Sequence, residues 1–364
     1  VVRCEDVEEP DGAFSASPFK AKVKTTKSDG VFMVYTASTW PIAAALLQFP
    51  GVDDAGGSIQ ESDASQWQAV FQEVADAGFG NVDLTDSWVR PGDLSGVRLD
   101  ELKLAAANVG IGAPSISAIR RSVIDSKNWE DNLAYSHRTI DAAAQLGCEV
   151  VSFGLHQALT QAQREQLWFW TVEGHKDPVG DKDTWNNAVT RLQELGRHAA
   201  EVGVLLSLEL YEDTYLGTSD SAVRLVQDIG LSNVGLNPDI GNLIRLHRPV
   251  ESWQDLVAKI LPYANYWHVK NYSRDEDHAR GYYVAVPAPM ESGLISYREA
   301  FRTAISVGFQ GIICTEHYGG DGLSVSAANE TYLRNRILPK TENYSLGKSL
   351  VAQGRQTPTQ VASS

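Results

Sequence analysis

Six glycines spaced along the chain constrain its fold more than any other feature. Gly78, Gly110, Gly147, Gly203, Gly230 and Gly308 each fall just past an amphipathic run, where a helix needs a closing residue of left-handed backbone conformation. Between those runs lie short β-branched or aromatic stretches, so from residue 31 onward strand and helix alternate, an order that calls for a parallel sheet covered by helices. Strands are expected at 31–35, 81–84, 112–119, 149–155, 204–210, 234–237, 266–270 and 311–315, and helices at 65–78, 99–110, 129–147, 184–203, 219–230, 251–261 and 297–308. Eight strands in this rhythm, with no GxGxxG after the first, fit an α/β chain closed as a single (β/α)8 TIM barrel rather than an open doubly wound sheet. The barrel is expected to span 31–340, between an N-terminal extension (1–30) and a polar C-terminal tail (341–364). Residues 345–364 are rich in Ser, Thr and Gln and have little to bury, so they are expected to be mobile or docked on a partner.

Two segments interrupt the repeat. Residues 159–183, with Trp168, Phe169 and Trp170, follow the fourth strand, and residues 271–293, with Tyr282 and Tyr283, follow the seventh. Loops after strands form the catalytic mouth of a barrel, so these inserts are expected to shape a pocket, where their aromatics could stack on a flat group or a sugar face.

Charge and cysteine content narrow the function. The 364 residues carry 31 Lys and Arg against 46 Asp and Glu, a formal charge of −15, which argues against nucleic acid as a partner because phosphate backbones are bound by clustered cations. Cys4, Cys148 and Cys314 form no CxxC pair, disfavouring a zinc finger or a disulfide framework. No apolar run approaches the roughly 20 residues of a membrane span. The acidic opening lacks the basic start and apolar core of a secretory signal, so a cytoplasmic location is expected.

Four late strands end in metal-capable side chains: Glu209, Asp239, His268 and Glu316. Their separations of 30, 29 and 48 residues match one βα unit, a second, and a third lengthened by the insert after residue 271. Successive strands could therefore aim them at one point above the barrel axis. Three carboxylates and an imidazole make an oxygen-rich site with one nitrogen, best suited to a single Mn²⁺ and open to Mg²⁺, Co²⁺ or Zn²⁺. Without a cation the carboxylates would repel one another.

This set, and residues 206–316 in particular, resembles the xylose-isomerase-like sugar isomerase/epimerase superfamily, which also contains the endonuclease-IV enzymes. The resemblance covers roughly 65–335 and implies that Glu209, Asp239, His268 and Glu316 surround one divalent ion. Many members carry His three residues after the Asp; here that position is Asn242, which disfavours a second or third metal and an endonuclease-like phosphodiesterase. Within the superfamily, residues 235–243, His247-Arg248-Pro249 and residues 266–272 resemble the large catalytic subunit of C-glycoside deglycosidases. That likeness implies a metal-dependent carbon–carbon lyase acting on 3-oxo-C-glycosides, a hetero-oligomer with a small β-rich second subunit, and a catalytic His after the fourth strand. The alternative is a ketose 3-epimerase type of isomerase, with a non-catalytic binding subunit as a further class.

Lyase and epimerase share a first step, removal of a proton beside a carbonyl to give an enediolate. His156, just past the fourth strand, is the expected base. Glu209 and Glu316 are expected to serve in catalysis as well as in binding the metal. Lys270 points to the same side of its strand as His268 and would either hold a substrate oxygen or pair with a ligand carboxylate. Tyr211 and Asp83 are read as structural, with His317 and His175 as weaker candidates.

Overall fold

The computed structural model describes residues 34–354; the expected extension at 1–30, Cys4 and the end of the tail lie outside those residues. Ten strands are present: β1 (Ile42–Ala45), β2 (Asn81–Thr85), β3 (Gly112–Ala118), β4 (Val150–Phe153), β5 (Leu205–Glu209), β6 (Val234–Asn237), β7 (Tyr266–Val269), β8 (Asn271–Asp277), β9 (Tyr282–Ala288) and β10 (Ile312–Thr315). Eight of them pair in parallel in the order β6-β5-β4-β3-β2-β1-β10-β7 and form a nearly closed (β/α)8 barrel. β6 and β7 meet without a full ladder. They are joined by one bridge between Leu236 and Ala264, by the Asn265 amide donating to the Leu236 carbonyl (3.2 Å), and by the Asn237 side chain, whose Oδ1 accepts the His268 amide at 2.7 Å.

The helices are α1 (Ala64–Asp76), α2 (Gly96–Asn108), α3 (Trp129–Leu146), the single turn α4 (Gln161–Arg164), α5 (Lys182–Glu201), α6 (Ser219–Ile229), the single turn α7 (Gly241–Ile244), α8 (Trp253–Ile260), α9 (Tyr297–Ser306) and α10 (Gly322–Tyr332). Side chains of Ser95, Thr218 and Ser252 accept the orphan amides of Arg98, Ser221 and Asp255, fixing where α2, α6 and α8 begin. The six glycines all take positive φ, from 67° at Gly230 to 101° at Gly78.

Three expectations need correction. The first strand is β1, not 31–35; Val34 and Tyr35 are outside any strand, and residues 31–33 lie outside the described residues. An Ile-Ala-Ala-Ala run has weak strand propensity, yet Ala43 and Ala45 pack with Val150, Tyr266, Ile312 and Cys314 in one buried cluster, where the bulk of Tyr266 favours small neighbours. The segment after β7 is no plain loop: β8 and β9 form an antiparallel ribbon, hidden in the sequence by the acidic Asp275-Glu276-Asp277 and by Pro287. The tail, finally, docks on its own barrel as far as it is described. The Leu350 amide donates to the Pro262 carbonyl (2.9 Å), the Ala352 amide to the Ser232 carbonyl (2.7 Å) and Gln353 Nε2 to the Ala264 carbonyl (2.8 Å), while Val351 is buried.

Candidate active site

The ends of β5, β6, β7 and β10 bring the four expected residues to one buried cluster. Ligand atoms of Glu209, Asp239 and His268 all lie within 4.8 Å of one another. Glu316 joins through its Oε2, 3.3 Å from His268 Nδ1. Local sequence explains the convergence. Pro238 has no amide to continue β6, and the chain turns at once, with the Asp239 amide bonded to the Asn237 carbonyl (2.8 Å). Asn242 then reaches back from α7, its Nδ2 donating to Asp239 Oδ2 (3.0 Å), Glu209 Oε1 (3.1 Å) and the Leu210 carbonyl (2.9 Å). Where the superfamily resemblance leads one to expect a His, this chain has a neutral donor that ties two carboxylates together.

His268 is held in one orientation. Tyr266 Oη and Ser117 Oγ both donate to Asp83 Oδ2, at 2.7 and 3.0 Å, so the oxygens they present to His268 Nε2, at 3.2 and 3.1 Å, act as acceptors. Nε2 must therefore carry a proton, which leaves Nδ1 to face the carboxylates. Against burial, Cys314, Glu316 and Glu209 hold the ring's pKa well above its ordinary value, so Nδ1 would offer a lone pair only to a cation that displaces its proton. Asp83, read from sequence as structural, thus acts through Tyr266 and Ser117 on a candidate metal ligand.

Lys270 takes the pairing role rather than the oxyanion role. Its Nζ lies 2.7 Å from both Asp239 Oδ2 and Glu316 Oε1, and it is not among the residues lining the cavity above. Gly241 makes this possible, because a Cβ there would sit 2.6 Å from Lys270 Cγ. Burial works against the ammonium, but Asp239 and Glu316 outweigh it and hold its pKa well above the ordinary value. The Glu316 carboxyl, pushed up by burial, is pulled far below its usual range by Lys270 and His268. Glu209 lacks that cation, and burial, with Asp239 and Glu316 nearby, raises it to about 7.

The cluster fits a divalent cation. Asp239 Oδ1 and His268 Nδ1 are buried without a hydrogen-bond partner, an arrangement costly for polar atoms unless a ligand satisfies them. With Glu209 ionised and His268 neutral, as a bound cation would require, three carboxylates against the Lys270 ammonium would carry two negative charges, which one such ion would neutralise.

A cavity opens directly above, lined by Glu209, His268, Glu316, Asn242, His156 and Tyr318 among others. His156 faces it from behind β4, stacked on Tyr211 at 4.4 Å with 20° between the rings. Gly154 is required here, since a Cβ would meet His156 Nδ1 at 2.4 Å. The expectation of a base titrating near neutrality changes: burial first, then Arg120, Arg245 and Lys270, depress His156 well below its ordinary pKa, so the ring stays neutral. Tyr211, read as core packing, lines the cavity. Of the weaker candidates, His175 is exposed beside a neighbouring pocket and His317 is half-buried outside the cavity wall.

Sequence reasoning missed Arg120, Arg245 and Asn237. Arg245 is fully buried against Glu212 (3.3 Å), its guanidinium over the rings of Trp170 (4.7 Å) and Phe169 (4.8 Å), and so pins the insert after β4. Phe169 and Trp170 pack on Arg245 and Tyr318 instead of presenting a face to the cavity. Nothing in the local pattern sets these residues apart from ordinary surface Arg or Asn.

Comparison with known proteins agrees with the fold. A xylose isomerase-like TIM barrel protein from Mycobacterium smegmatis, solved in complex with magnesium, is 46% identical, with a TM-score of 0.79 over 82% of this chain and 97% of that one. A probable L-ribulose-5-phosphate 3-epimerase of Mycoplasma pneumoniae is 24% identical over 168 residues, 45% of this chain and only half the length of that relative. D-psicose 3-epimerase of Clostridium cellulolyticum H10, solved with D-tagatose, shares the fold at 14% identity, with a TM-score of 0.57 over 82% of this chain and 99% of that one. The family model for the xylose isomerase-like TIM barrel matches residues 71–336. Among the described residues no helix is long and apolar enough to cross a membrane. The chain belongs to the xylose isomerase-like TIM barrel family.

Proposed function

We propose that this chain is a divalent-metal-dependent sugar isomerase or epimerase that moves a proton at the carbon beside a sugar carbonyl. The convergence of Glu209, Asp239 and His268 within 4.8 Å beneath an open cavity carries the reading. Glu209, Asp239, His268 and Glu316 would hold the ion, with Mn²⁺ or Mg²⁺ matching the donor set. Bound there, it would polarise the carbonyl and stabilise the charge of the enediolate.

The chain's own residues supply the rest. Glu209, raised to about 7 by burial, is poised to take a proton near neutrality and lines the cavity. Glu316, kept ionised by Lys270, faces the same space and is the group available to accept a proton from the opposite face, the proton that Glu209 carries near neutrality being the one available for return. The neutral His156 ring offers a hydrogen bond to a sugar hydroxyl. The lyase expected from the deglycosidase resemblance shares the first proton removal and differs only in expelling an aglycone; the comparisons support return of the proton to the sugar instead. A small β-rich second subunit belongs to the lyase reading, whereas every group used here lies on this chain.

The test is to incubate the Mn²⁺-loaded protein in D₂O with a panel of ketopentoses and ketohexoses and with a 3-oxo-C-glucoside. Isomerisation or epimerisation yields a new sugar with deuterium at the reacting carbon; release of free aglycone without sugar interconversion would refute the proposal. His156→Ala should keep the metal and lose at least tenfold in turnover. Turnover within about threefold would remove His156 from the site.

A further inference from the structure

Beside the candidate ligand cluster lies a second pocket, set among the loops that follow β3, β4 and β5. Arg120, His156 and Tyr211 line it and also line the cavity over Glu209 and Glu316, so the two spaces share a wall. Asp213, Asp177 and Gln163 help to form its far side. Two independent observations mark it as built to receive a ligand.

The first is backbone strain. Among the described residues, the non-glycine residues with positive φ are Arg120 (56°) and Asp213 (62°), on different loops, and both line this pocket. Left-handed backbone is unfavourable for Arg, is tolerated more readily by Asp, and persists where the surroundings enforce it. Here they do. Arg120 Nη1 donates to the Gln157 carbonyl and to Tyr211 Oη, each at 3.2 Å. The Asp213 carbonyl accepts the Asp177 amide at 2.8 Å, and its carboxylate pairs with Arg248 at 2.8 Å. Glycine would adopt either conformation freely, so what the strain preserves is the side chain.

The second is an unbalanced charge. The acids around the pocket are engaged: Glu212 with Arg245, Asp213 with Arg248, and Asp177 Oδ2 with the Tyr215 amide. The Arg120 guanidinium, by contrast, is half-buried and has no carboxylate partner among the described residues, and its Nε and Nη2 donors are free. A guanidinium partly removed from water, with one edge fixed and two donors open, matches a carboxylate or phosphate that it can grip with two hydrogen bonds.

We propose that Arg120 forms an anion subsite, and that the substrate is a keto-sugar bearing a carboxylate or phosphate remote from the reacting carbonyl. The sugar lies over Glu209 and Glu316 and passes the stacked His156 and Tyr211, and its charged end meets Arg120. This rests on the proposed function and names the substrate class for that site.

Calorimetry with inorganic phosphate and with acetate tests the subsite alone. Steady-state kinetics on ketose pairs, a ketopentose against its 5-phosphate and a ketohexose against the corresponding keto-uronate, tests its use. One anionic member should be preferred at least a hundredfold in kcat/KM, and Arg120→Gln should shrink that preference and the anion affinity at least tenfold while Mn²⁺ still binds. Arg120→Lys separates the two sources: a point charge retains much of a phosphate preference and loses a carboxylate preference that depends on the planar fork. If neutral and anionic sugars are turned over equally, or Arg120→Gln leaves the preference unchanged, the subsite is refuted and the isomerase reading stands. If no sugar reacts but phosphate or acetate binds and is lost in Arg120→Gln, the isomerase reading falls and the anion subsite stands.

Discussion

On one side of the mouth, Glu209, His268 and their partners sit at strand ends and are tied to one another; on the other, Arg120 and Asp213 sit on loops in left-handed conformations, and Arg120 has no carboxylate partner among the described residues. Strand-borne groups inherit their position from the ladder, so β5, β6, β7 and β10 can present a fixed set for an ion. Loop-borne groups must be held by side-chain ties, such as Arg245 against Phe169 and Trp170 or Asp177 against Tyr215, and those ties can change without disturbing the barrel. On the proposed reading, the first region carries the chemistry and the second the choice of substrate.

Substitutions in the strand-borne set should have the largest effects. Glu316→Gln removes a proton-transfer group and half of the counter-charge of Lys270; kcat should fall by about 10³-fold or more, with Mn²⁺ affinity lowered and the circular dichroism spectrum unchanged. Full activity would break the assignment of chemistry to this side. Asp83→Asn should weaken Mn²⁺ by roughly 10–100-fold without touching the ion, because Tyr266 and Ser117 no longer have to present acceptors to His268 Nε2; calorimetry at constant pH reads this directly. Gly241→Ala should cost about 1–3 kcal/mol of stability in denaturant titration, since its Cβ would displace Lys270 from Asp239 and Glu316.

The effect on the loop side is confined to the pH dependence of stability. Burial raises the Asp177 carboxyl from its ordinary 3.8 to about 7. Across that window the folded protein keeps a proton that the unfolded chain has lost, so Asp177 makes stability decline as pH climbs from about 4 to about 7, with no further loss above. Asp177→Asn should flatten that part of the Tm-against-pH curve and leave Tm at pH 4 nearly unchanged. An unaltered slope would mean that the anchor of this insert is not the titrating group.

How far the sequence could be read follows the same division. The barrel was legible because helix-closing glycines and alternating patterns are local properties, and the convergence of Glu209, Asp239, His268 and Glu316 because one residue per strand end repeats with the βα unit. The first strand escaped because Ala43 and Ala45 are explained by Tyr266, more than two hundred positions away, and not by their neighbours. Lys270 could be placed on the correct face, but whether its ammonium meets substrate or carboxylate depends on Asp239 and Glu316 across the barrel. Arg120 gave no sign at all, and Asp213 only the weak one that Asp tolerates a left-handed conformation better than most residues, since that conformation is written plainly in sequence only when glycine occupies it.

The docked C-terminal segment binds Ser232, Pro262 and Ala264, which feed β6 and β7, the two staves that meet without a full ladder. It therefore works as a hoop around the foot of the cask at its weakest joint. Those staves carry Asp239 and His268 at their heads, so slackening the hoop would pull apart two jaws of the vice at the opposite pole.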